Sequence, residues 1–287
     1  MTVPSEGVVR RIGFAFNPTS DPAVRLRDGA IGWASDHKVD HWALPAADRD
    51  ALHHELPGTD LLVVLGGDGT FLRAARAVVR DDVPLLGINV GKVGFLSKVE
   101  AADLEKVLAL LVDGRFSIEP RMALEGRILR KGEAVGGDQL VALNDIVVAR
   151  GALARVVRLD TSIDDVHLAS FVADGLVVAS PTGSTGYSFS AGGPILGPTA
   201  RNVVVTPIAG YLTTIRSVVV GPEAVVRCRV VDAHEALVSV DGREDIPLEV
   251  GDVVEVRAIE RPVRLVEPEG SLPFWDLVRR KVELLPS

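Results

Sequence analysis

The sequence predicts an N-terminal α/β domain with a parallel sheet, followed by a β-rich, β-sandwich-like domain. In residues 1–118, apolar runs with strand character alternate with helix-like segments, a pattern typical of parallel sheets with right-handed crossovers. In residues 119–265, short β-rich runs are separated by turn residues, which indicates antiparallel strands. Residues 266–287 include an amphipathic helical stretch, and we expect this C-terminal segment to dock on the rest of the protein through its apolar face.

The elements of the N-terminal domain follow from its apolar runs and helix caps. Asp21 and Pro22 offer an N-cap and a proline at the first helical position, so a helix is expected from there to about Asp36. Leu61–Leu65 is wholly apolar, as expected of a parallel strand buried on both faces. The other expected strands span residues 8–16, 39–44 and 84–90, and the other expected helices span residues 46–56, 71–79 and 101–112.

The C-terminal domain is predicted from eight β-rich runs punctuated by turn residues such as Asp241-Gly242. The runs span residues 123–129, 140–149, 156–163, 176–180, 203–207, 225–231, 237–240 and 253–259. The final helix is expected to begin at Phe274, because apolar residues recur there at helical spacing.

Composition and charge narrow the functional classes. The chain has 287 residues, 47% of them hydrophobic and 24% charged, which is the profile of a compact globular protein. No apolar run is long enough to cross a membrane, and the polar N-terminus does not have the pattern of a secretory signal. The single cysteine, Cys228, fits a reducing compartment, so we expect a cytoplasmic protein. The net charge of -8 argues against nucleic-acid binding.

The turn Gly66-Gly67-Asp68-Gly69-Thr70 follows the apolar strand and precedes a helix expected to start at about Phe71. Glycines allow positive φ and let phosphate oxygens approach backbone amides, and a helix N-terminus directs unpaired N–H groups to the same place. We therefore predict that Gly66, Gly67, Gly69 and Thr70 bind phosphate. Asp68 is expected either to accept a proton from an attacking hydroxyl or to position a magnesium ion. The alternative is that the glycines only close a loop.

A second glycine-rich segment runs from Asp174 to Pro194 and reads DGLVVASPTGSTGYSFSAGGP. Its hydroxyls and amides suit a purine edge or phosphate oxygens, and Tyr187 can stack on a ring or line a pocket. Segments of this composition are often ordinary loops. A run of this length within an apolar, ordered context nevertheless favours a binding role.

Asn144-Asp145 interrupts the strand-like run 140–149 with two polar residues. Carboxamide and carboxylate groups suit vicinal hydroxyls, so one interpretation is a clamp for ribose. An Asx turn at an edge strand is the other interpretation. The histidines show no zinc-like spacing, and no protein-bound metal is predicted.

Together these motifs resemble one family. Gly66 to Thr70, Asn144-Asp145 and Asp174 to Pro194, in this order and at these separations, are similar to the bacterial ATP-dependent NAD kinases. The likeness spans nearly the whole chain and includes the stretches GINVGKVGFL, from Gly87, and VDGR, from Val240. The glycine turn alone also resembles that of diacylglycerol and sphingosine kinases and, more loosely, of phosphofructokinases, whereas the later Thr-Gly-Ser-Thr segment is far more specific.

The resemblance implies an N-terminal α/β domain, a C-terminal β-rich domain that binds the dinucleotide, and a C-terminal segment, residues 266–287, that packs back on the N-terminal domain. It also implies a reaction. The ATP γ-phosphoryl group would pass to the 2′-hydroxyl of the adenosine ribose of NAD, giving NADP. Asp68 would be the catalytic base, with Gly69 and Arg73 beside it. Asn144 and Asp145 would hold ribose hydroxyls. The remaining dinucleotide-binding residues implied by the family are Arg155, Asp174, Thr182, Thr185, Gly186, Tyr187, Ser188, Phe189 and Ser190. Mg²⁺ or another divalent cation would accompany ATP, and a homodimer or homotetramer would complete the site.

This chain departs from the family pattern in three places. Asp145 stands where the family usually has Glu, and Gly186 where it usually has Ala before the tyrosine. Residues 207–217 keep Arg216 but lack the usual histidine and second proline. These departures bear on substrate preference. Two other functions stay open on the residues alone: a kinase with the same turn but a lipid or modified-nucleotide acceptor, and a dinucleotide sensor without turnover.

Overall fold

A computed structural model describes residues 3–4, 9–91, 94–151, 155–211 and 213–283 of the chain. The chain divides into two compact units. Met1–Pro120 and Val263–Ser287 form the first unit, and Arg121–Pro262 forms the second. Each unit has a hydrophobic core of its own.

The elements, in chain order, have the following bounds. The strands are β1 (Val3–Pro4), β2 (Arg11–Phe16), β3 (Asp40–Pro45), β4 (Leu61–Leu65), β5 (Leu85–Asn89), β6 (Val99–Glu100), β7 (Phe116–Arg121), β8 (Leu124–Arg130), β9 (Glu133–Ala142), β10 (Asp145–Arg150), β11 (Val157–Ile163), β12 (Val166–Ala173), β13 (Gly175–Ala179), β14 (Val203–Ile208), β15 (Val218–Val220), β16 (Val226–Asp232), β17 (Ala236–Val240), β18 (Arg243–Leu248), β19 (Val253–Ala258) and β20 (Val263–Pro268). The helices are α1 (Asp21–Asp36), α2 (Arg49–Glu55), α3 (Asp68–Val78), α4 (Leu104–Val112), α5 (Tyr187–Ser190) and α6 (Phe274–Glu283).

The first unit is built on one sheet with the order β1-β7-β20-β5-β4-β2-β3, and β6 pairs with β5. The pairs β2–β3, β2–β4, β4–β5 and β5–β20 are parallel, which confirms the predicted parallel α/β arrangement. Strand β4 is buried along its whole length, as its apolar sequence predicts. The carboxyl ends of β4 and β5 lie side by side, because Leu65 pairs with Ile88.

The first helix shows that the predicted cap was wrong by one residue. Ser20 is the N-cap: its backbone is extended and its hydroxyl accepts a hydrogen bond from the Ala23 amide. Asp21 and Pro22 therefore occupy the first helical positions, where a negative side chain and a missing N–H are both favourable.

The C-terminal segment belongs to the first unit, in agreement with the predicted fold class. Strand β20 pairs with β5 through Leu265 and Leu85 and lies between β5 and β7 in the sheet. Helix α6 follows it, with Phe274 and Leu277 buried. The sequence predicted the helix but not the strand, because the acidic and basic residues within Val263–Pro268 mask its apolar positions.

The second unit contains two six-stranded antiparallel sheets. One has the order β15-β14-β13-β10-β17-β18, and the other has the order β12-β11-β16-β19-β8-β9. A single core cluster includes residues of both sheets, for example Ile146 and Val178 from the first and Leu159 and Val254 from the second. The predicted sandwich-like, mostly antiparallel fold is therefore confirmed.

One predicted strand of the second unit is in fact two strands. The run 140–149 spans the end of β9, a bend at Leu143 and Asn144, and the whole of β10 except its last residue. Because β9 and β10 belong to different sheets, the polar pair Asn144-Asp145 marks the point where the chain passes from one sheet to the other. Strands β12, β15 and β18 were not predicted; β15 has only three residues, and β18 is largely polar.

In the part of the chain that the structure describes, every helix is too short or too polar to span a membrane.

Candidate functional site

The glycine turn of the first unit joins the buried strand β4 directly to helix α3. The helix begins at Asp68, three residues earlier than expected, because Gly67 serves as its N-cap and its carbonyl accepts hydrogen bonds from the Thr70 and Phe71 amides. The Asp68 side chain therefore lies in the first helical turn, where the helix dipole favours negative charge. No side chain caps this helix N-terminus.

Gly66, Gly67 and Gly69 do not have positive φ, which corrects the sequence-based reason for them, and Gly66 is required by close packing instead. Gly67 has an extended backbone, with φ -79° and ψ 179°. A Cβ on Gly66 would lie 2.5 Å from the Thr70 Oγ1 atom, so a side chain there would collide with the helix start. Gly67 and Gly69 are exposed and Thr70 is buried. The accessible part of the turn is thus the backbone at Gly67 and Gly69.

Asp68 is held by a second loop of the same unit. Its Oδ2 atom accepts a hydrogen bond from the Phe95 amide at 2.9 Å. Its Oδ1 atom accepts hydrogen bonds from the Leu96 and Ser97 amides at 3.2 and 3.1 Å. A Cβ on Gly94 would overlap the same carboxylate, so glycine is required at that position. The carboxylate is consequently fixed by backbone groups on one side and partly open on the other.

Other polar groups surround this end of the sheet. Arg73 is exposed on α3, four residues after Gly69 and hence on the same helix face, and its side chain has no ion pair with a residue that the structure describes. Within the described residues, the buried Nδ2 atom of Asn89 and Oγ atom of Ser97 lack a hydrogen-bond partner. Asn89 ends β5, next to the glycine turn. Sequence reasoning did not single out Asn89 or Ser97; the only signal was the family-like stretch around them.

In the second unit, Asn144 and Asp145 lie at one end of the sheet that contains β10, β13 and β17. Asp241, in the turn after β17, accepts hydrogen bonds from the amides of Leu143, Asn144 and Asp145 at 3.2, 2.8 and 3.3 Å. Asp241 has φ 52° and Gly242 has φ 68°, a tight hairpin turn that carries the carboxylate under the polar pair. The sequence marked Asp241-Gly242 as a turn and missed this supporting role.

Asp145 is the perturbed carboxyl group of this site. It is 5% exposed, and burial, with a smaller contribution from the Asp241 charge, raises its pKa from 3.8 to about 7. Two carboxyl groups therefore share a small buried region, and of these two only Asp241 accepts hydrogen bonds from backbone amides of the described residues. The Asn144 side chain is half-buried beside it. Neither side chain makes a hydrogen bond with another residue that the structure describes.

The second glycine-rich segment packs directly on this pair. The Ser180 amide donates to the Asn144 carbonyl at 2.8 Å, and the Ser180 hydroxyl donates to the Leu143 carbonyl at 2.5 Å. A Cβ on Gly183 would overlap the Asn144 backbone. The two motifs are about forty residues apart in sequence, so tertiary structure rather than local chain geometry brings them together.

Buried partners explain which side chains of this segment face inward. Thr182 is buried and accepts a hydrogen bond at 3.2 Å from Arg121, whose own side chain is fully buried. Ser188 is also buried and lies 3.3 Å from the Thr206 hydroxyl, so its hydroxyl serves the fold. The Thr185 hydroxyl donates to the Thr182 carbonyl at 3.1 Å.

The accessible part of the segment is at helix α5. Tyr187 is 47% exposed and Phe189 is 45% exposed, and Ser190 is exposed beside them. Gly186, which precedes the helix, is half-buried. Two aromatic rings therefore stand on the surface of the segment, where an apolar ring would normally be covered.

Asp174 lies at the other end of β13. Antiparallel pairing places Ala179 opposite Asp145 and Gly175 opposite Ala149, so Asp174 is about 17 Å along the strand from the Asp145 end. Its carboxylate makes a two-pronged ion pair with Arg150, at 2.7 and 3.3 Å. Within one chain, Asp174 and Asn144 do not meet. Arg155 is exposed beyond β10 and follows residues 152–154, which lie outside the described part, as do Lys92 and Val93 of the family-like stretch.

No group of three or more His, Cys, Asp or Glu side chains in the described part of the chain is arranged to hold a metal ion.

Replacing Asp145 with Asn should change how stability depends on pH. The folded chain holds the Asp145 proton up to a pKa of about 7, while the unfolded chain releases it near 3.8. The folded state therefore binds more protons in that window, and its stability falls as pH rises from about 4 to 7. We expect Asp145→Asn to remove this fall, shifting the pH-dependent part of the free energy of unfolding by on the order of a few kcal/mol. Urea denaturation at pH 5, 6, 7 and 8 measures it. The exposed Asp245→Asn is the control, and parallel pH profiles for wild type and Asp145→Asn would contradict the assignment.

A side chain at position 183 should disturb the polar pair through the backbone. We expect Gly183→Ala to lower the free energy of unfolding by about 1–3 kcal/mol, because its Cβ would overlap the Asn144 carbonyl. Gly221→Ala is the matched control, since a Cβ there meets nothing within 4 Å. Equal denaturation midpoints for the two variants would show that the contact is not tight.

Comparisons with known proteins match both units of the chain. A family model described as the ATP-NAD kinase N-terminal domain matches residues 14–116, and one described as the ATP-NAD kinase C-terminal domain matches residues 143–268. The NAD kinase of Syntrophotalea carbinolica is 35% identical over 283 residues, which cover 96% of this chain and 98% of that protein.

Two solved structures are also similar to this chain. A yeast NADH kinase complexed with NADH is 26% identical with a TM-score of 0.82, and the match covers 98% of this chain and 88% of that one. An NAD kinase from Archaeoglobus fulgidus in complex with ATP is 25% identical with a TM-score of 0.78, covering 96% and 100%. The expected resemblance is confirmed, and the chain belongs to the ATP-NAD kinase family.

Proposed function

We propose that the chain transfers the γ-phosphoryl group of ATP to the 2′-hydroxyl of the adenosine ribose of NAD. The observation that supports this most is the pair of half-buried Asn144 and buried Asp145, which lies against the glycine-rich segment and whose side chains make no hydrogen bond with another residue that the structure describes. Buried polar groups need hydrogen-bond partners, and the vicinal hydroxyls of a ribose would supply them. The yeast relative was crystallised with NADH and the archaeal relative with ATP, which supports a dinucleotide and ATP as the two substrates.

In this proposal the second unit holds the dinucleotide. Asn144 and Asp145 bind the ribose hydroxyls, and Asp241 fixes them by holding their amides. Tyr187 and Phe189 offer exposed ring faces for the adenine, with Ser190 and the backbone at Gly186 at its edge. Thr182, Thr185 and Ser188 shape the segment from within, because each has a hydrogen-bond partner inside it or beneath it.

In the same proposal the first unit supplies the chemistry. A carboxylate offers about four lone-pair directions, and three backbone amides take up three of those of Asp68. The remaining direction can accept a hydrogen bond from the attacking hydroxyl, so Asp68 aligns that hydroxyl and receives its proton. The transition state of phosphoryl transfer is loose and rich in phosphate charge, so alignment and charge neutralisation contribute more than base strength.

The phosphate groups fit the exposed end of the glycine turn. The backbone at Gly67 and Gly69 is accessible at the start of α3, where N–H groups and the helix dipole favour anions. Gly66 and Thr70 allow the turn to close. Arg73 adds a positive charge one helical turn further on. Mg²⁺ enters as part of the magnesium–ATP substrate, because phosphate oxygens and water provide most of its usual ligands.

We also propose that the protein works in the cytoplasm as a homodimer or homotetramer. Asp174 is about 17 Å along β13 from the polar pair. We therefore propose that Asp174 and Arg155 bind either the dinucleotide of a second copy of the chain or a different part of the dinucleotide held by their own chain. The Arg150 ion pair fixes the direction of the Asp174 carboxylate.

Removing the Asp68 carboxylate tests the reaction. We expect Asp68→Asn to lower kcat for NADP formation by on the order of 10² to 10⁴. The assay contains NAD, ATP and Mg²⁺, and parallel assays replace NAD with NADH, ATP with polyphosphate, or Mg²⁺ with chelator. The exposed Asp103→Asn is the control on the same unit. Near-normal activity of Asp68→Asn, or ATP-dependent phosphorylation of a lipid but not of NAD, would contradict the proposal.

Mixing two inactive copies tests the contribution of Asp174. If Asp174 serves the site of a neighbouring copy, co-expressed Asp174→Asn and Asn144→Ala chains form mixed oligomers that contain one intact site. We expect these mixtures to regain a measurable part of wild-type activity, whereas each variant alone stays impaired. Absence of any recovery in mixed oligomers verified by mass spectrometry would place Asp174 in the site of its own chain or outside any site.

A further inference from the structure

The loop that binds Asp68, residues 94–97, is held only weakly by hydrogen bonds between its own described residues. It is closed by one long hydrogen bond, from the Gly94 amide to the Ser97 carbonyl at 3.4 Å. Three of its four amides point to the Asp68 carboxylate. The position of that carboxylate therefore follows the position of the loop, and whatever holds the loop also sets the carboxylate.

Helix α6, at the C-terminal end of the described chain, contacts one side of this loop. The ring of Phe95 packs against the ring of Phe274, with centroids 6.1 Å apart and planes tilted by 43°. The Lys281 Nζ atom lies 4.8 Å above the centroid of Phe95. Phe274 is itself buried, so it is a firm support for the Phe95 ring. One helix thus provides both an apolar contact and a cation–π contact to the same loop residue.

Strand β20, which belongs to the same C-terminal segment, anchors the other side. Lys98 follows the loop directly, and its side chain is 7% exposed. It makes an ion pair with Glu267 of β20 and lies 3.9 Å from Glu119 of β7. Separating Lys98 from the two carboxylates would leave buried charges uncompensated, so this ion pair fixes the chain at residue 98.

We propose that the C-terminal segment is a positioning element for the catalytic carboxylate: Phe274, Lys281 and Glu267 hold residues 94–98, and these hold Asp68. This rests on the catalytic role proposed for Asp68. None of the three residues needs to touch either substrate. A displacement of about 1 Å at a reacting group can reduce rate by on the order of 10², so loosening the loop lowers kcat and leaves NAD binding in the second unit intact.

The test uses the full-length enzyme with matched double variants on α6. Phe274→Ala with Lys281→Ala removes both contacts to Phe95, and we expect kcat to fall about ten-fold, equivalent to about 1.4 kcal/mol, with the KM for NAD within two-fold of wild type. Trp275→Ala with Arg280→Ala is the control. It also removes one aromatic ring and one positive charge, but Trp275 is 59% exposed and its ring contact is with Phe274.

Rescue separates positioning from folding. Phe274→Leu with Lys281→Arg keeps an apolar side chain and a cation at the same places, and we expect most of kcat to return. Thermal denaturation confirms that each protein is folded at the assay temperature. If the Phe274 variants are not folded at that temperature, the single variants Lys281→Ala and Arg280→Ala are compared instead. We then expect a smaller loss of kcat for Lys281→Ala alone.

A double-mutant cycle distinguishes failure of this proposal from failure of the proposed function. If α6 acts through Asp68, adding Phe274→Ala and Lys281→Ala to Asp68→Asn causes little further loss. If the losses of kcat caused by Asp68→Asn and by the α6 changes multiply, the positioning role is overturned. An equal loss of kcat in the Trp275 and Arg280 control would overturn it as well. If Asp68→Asn alone keeps normal activity, the catalytic assignment fails instead.

Discussion

Both units depend on the same interaction, a carboxylate that accepts hydrogen bonds from three successive backbone amides far away in sequence. Asp68 binds the amides of Phe95, Leu96 and Ser97, and Asp241 binds those of Leu143, Asn144 and Asp145. Amides at bends have no ladder partner, and leaving them buried and unpaired is costly. A charged acceptor satisfies all three at once and fixes the bend, so each carboxylate converts an irregular segment into a rigid one.

The two carboxylates nevertheless serve different ends. Asp68 is both the support and the proposed reacting group, so its position and its chemistry cannot be varied separately. Asp241 holds the backbone, and the ligand contacts proposed for this site are made by its neighbours Asn144 and Asp145. The cost appears at Asp145, whose pKa is raised to about 7 by burial and by the nearby Asp241 charge. A buried carboxyl group whose pKa is raised in this way is more typical of a binding site than of a structural core.

The sequence predicted those parts of the candidate site that local residue patterns determine. The apolar run Leu61–Leu65 and the glycine turn after it predicted the strand, the turn and the helix of the first site, although not that close packing of Gly66 on Thr70, rather than positive φ, requires the glycine. Asn144-Asp145 was noticed as a break in a strand, but the change of sheet at that point depends on pairing partners that no local pattern specifies. The inward orientation of Ser188 and the support from Asp241 and Arg121 arise only from long-range contacts. The family resemblance, not the spacing, supplied the roles of the exposed residues.

The place of β20 in the sheet has a consequence for biosynthesis. It lies between β5 and β7, yet it is made after the entire second unit. A nascent chain that ends before Val263 therefore has a gap inside its first sheet, with two strand edges open to incorrect pairing. Domains usually fold as they emerge from the ribosome, but here the first unit can close only after the second has been synthesised. Strand β20 completes the unit that Met1–Pro120 begins, so a truncation before Val263 removes a central strand of the sheet.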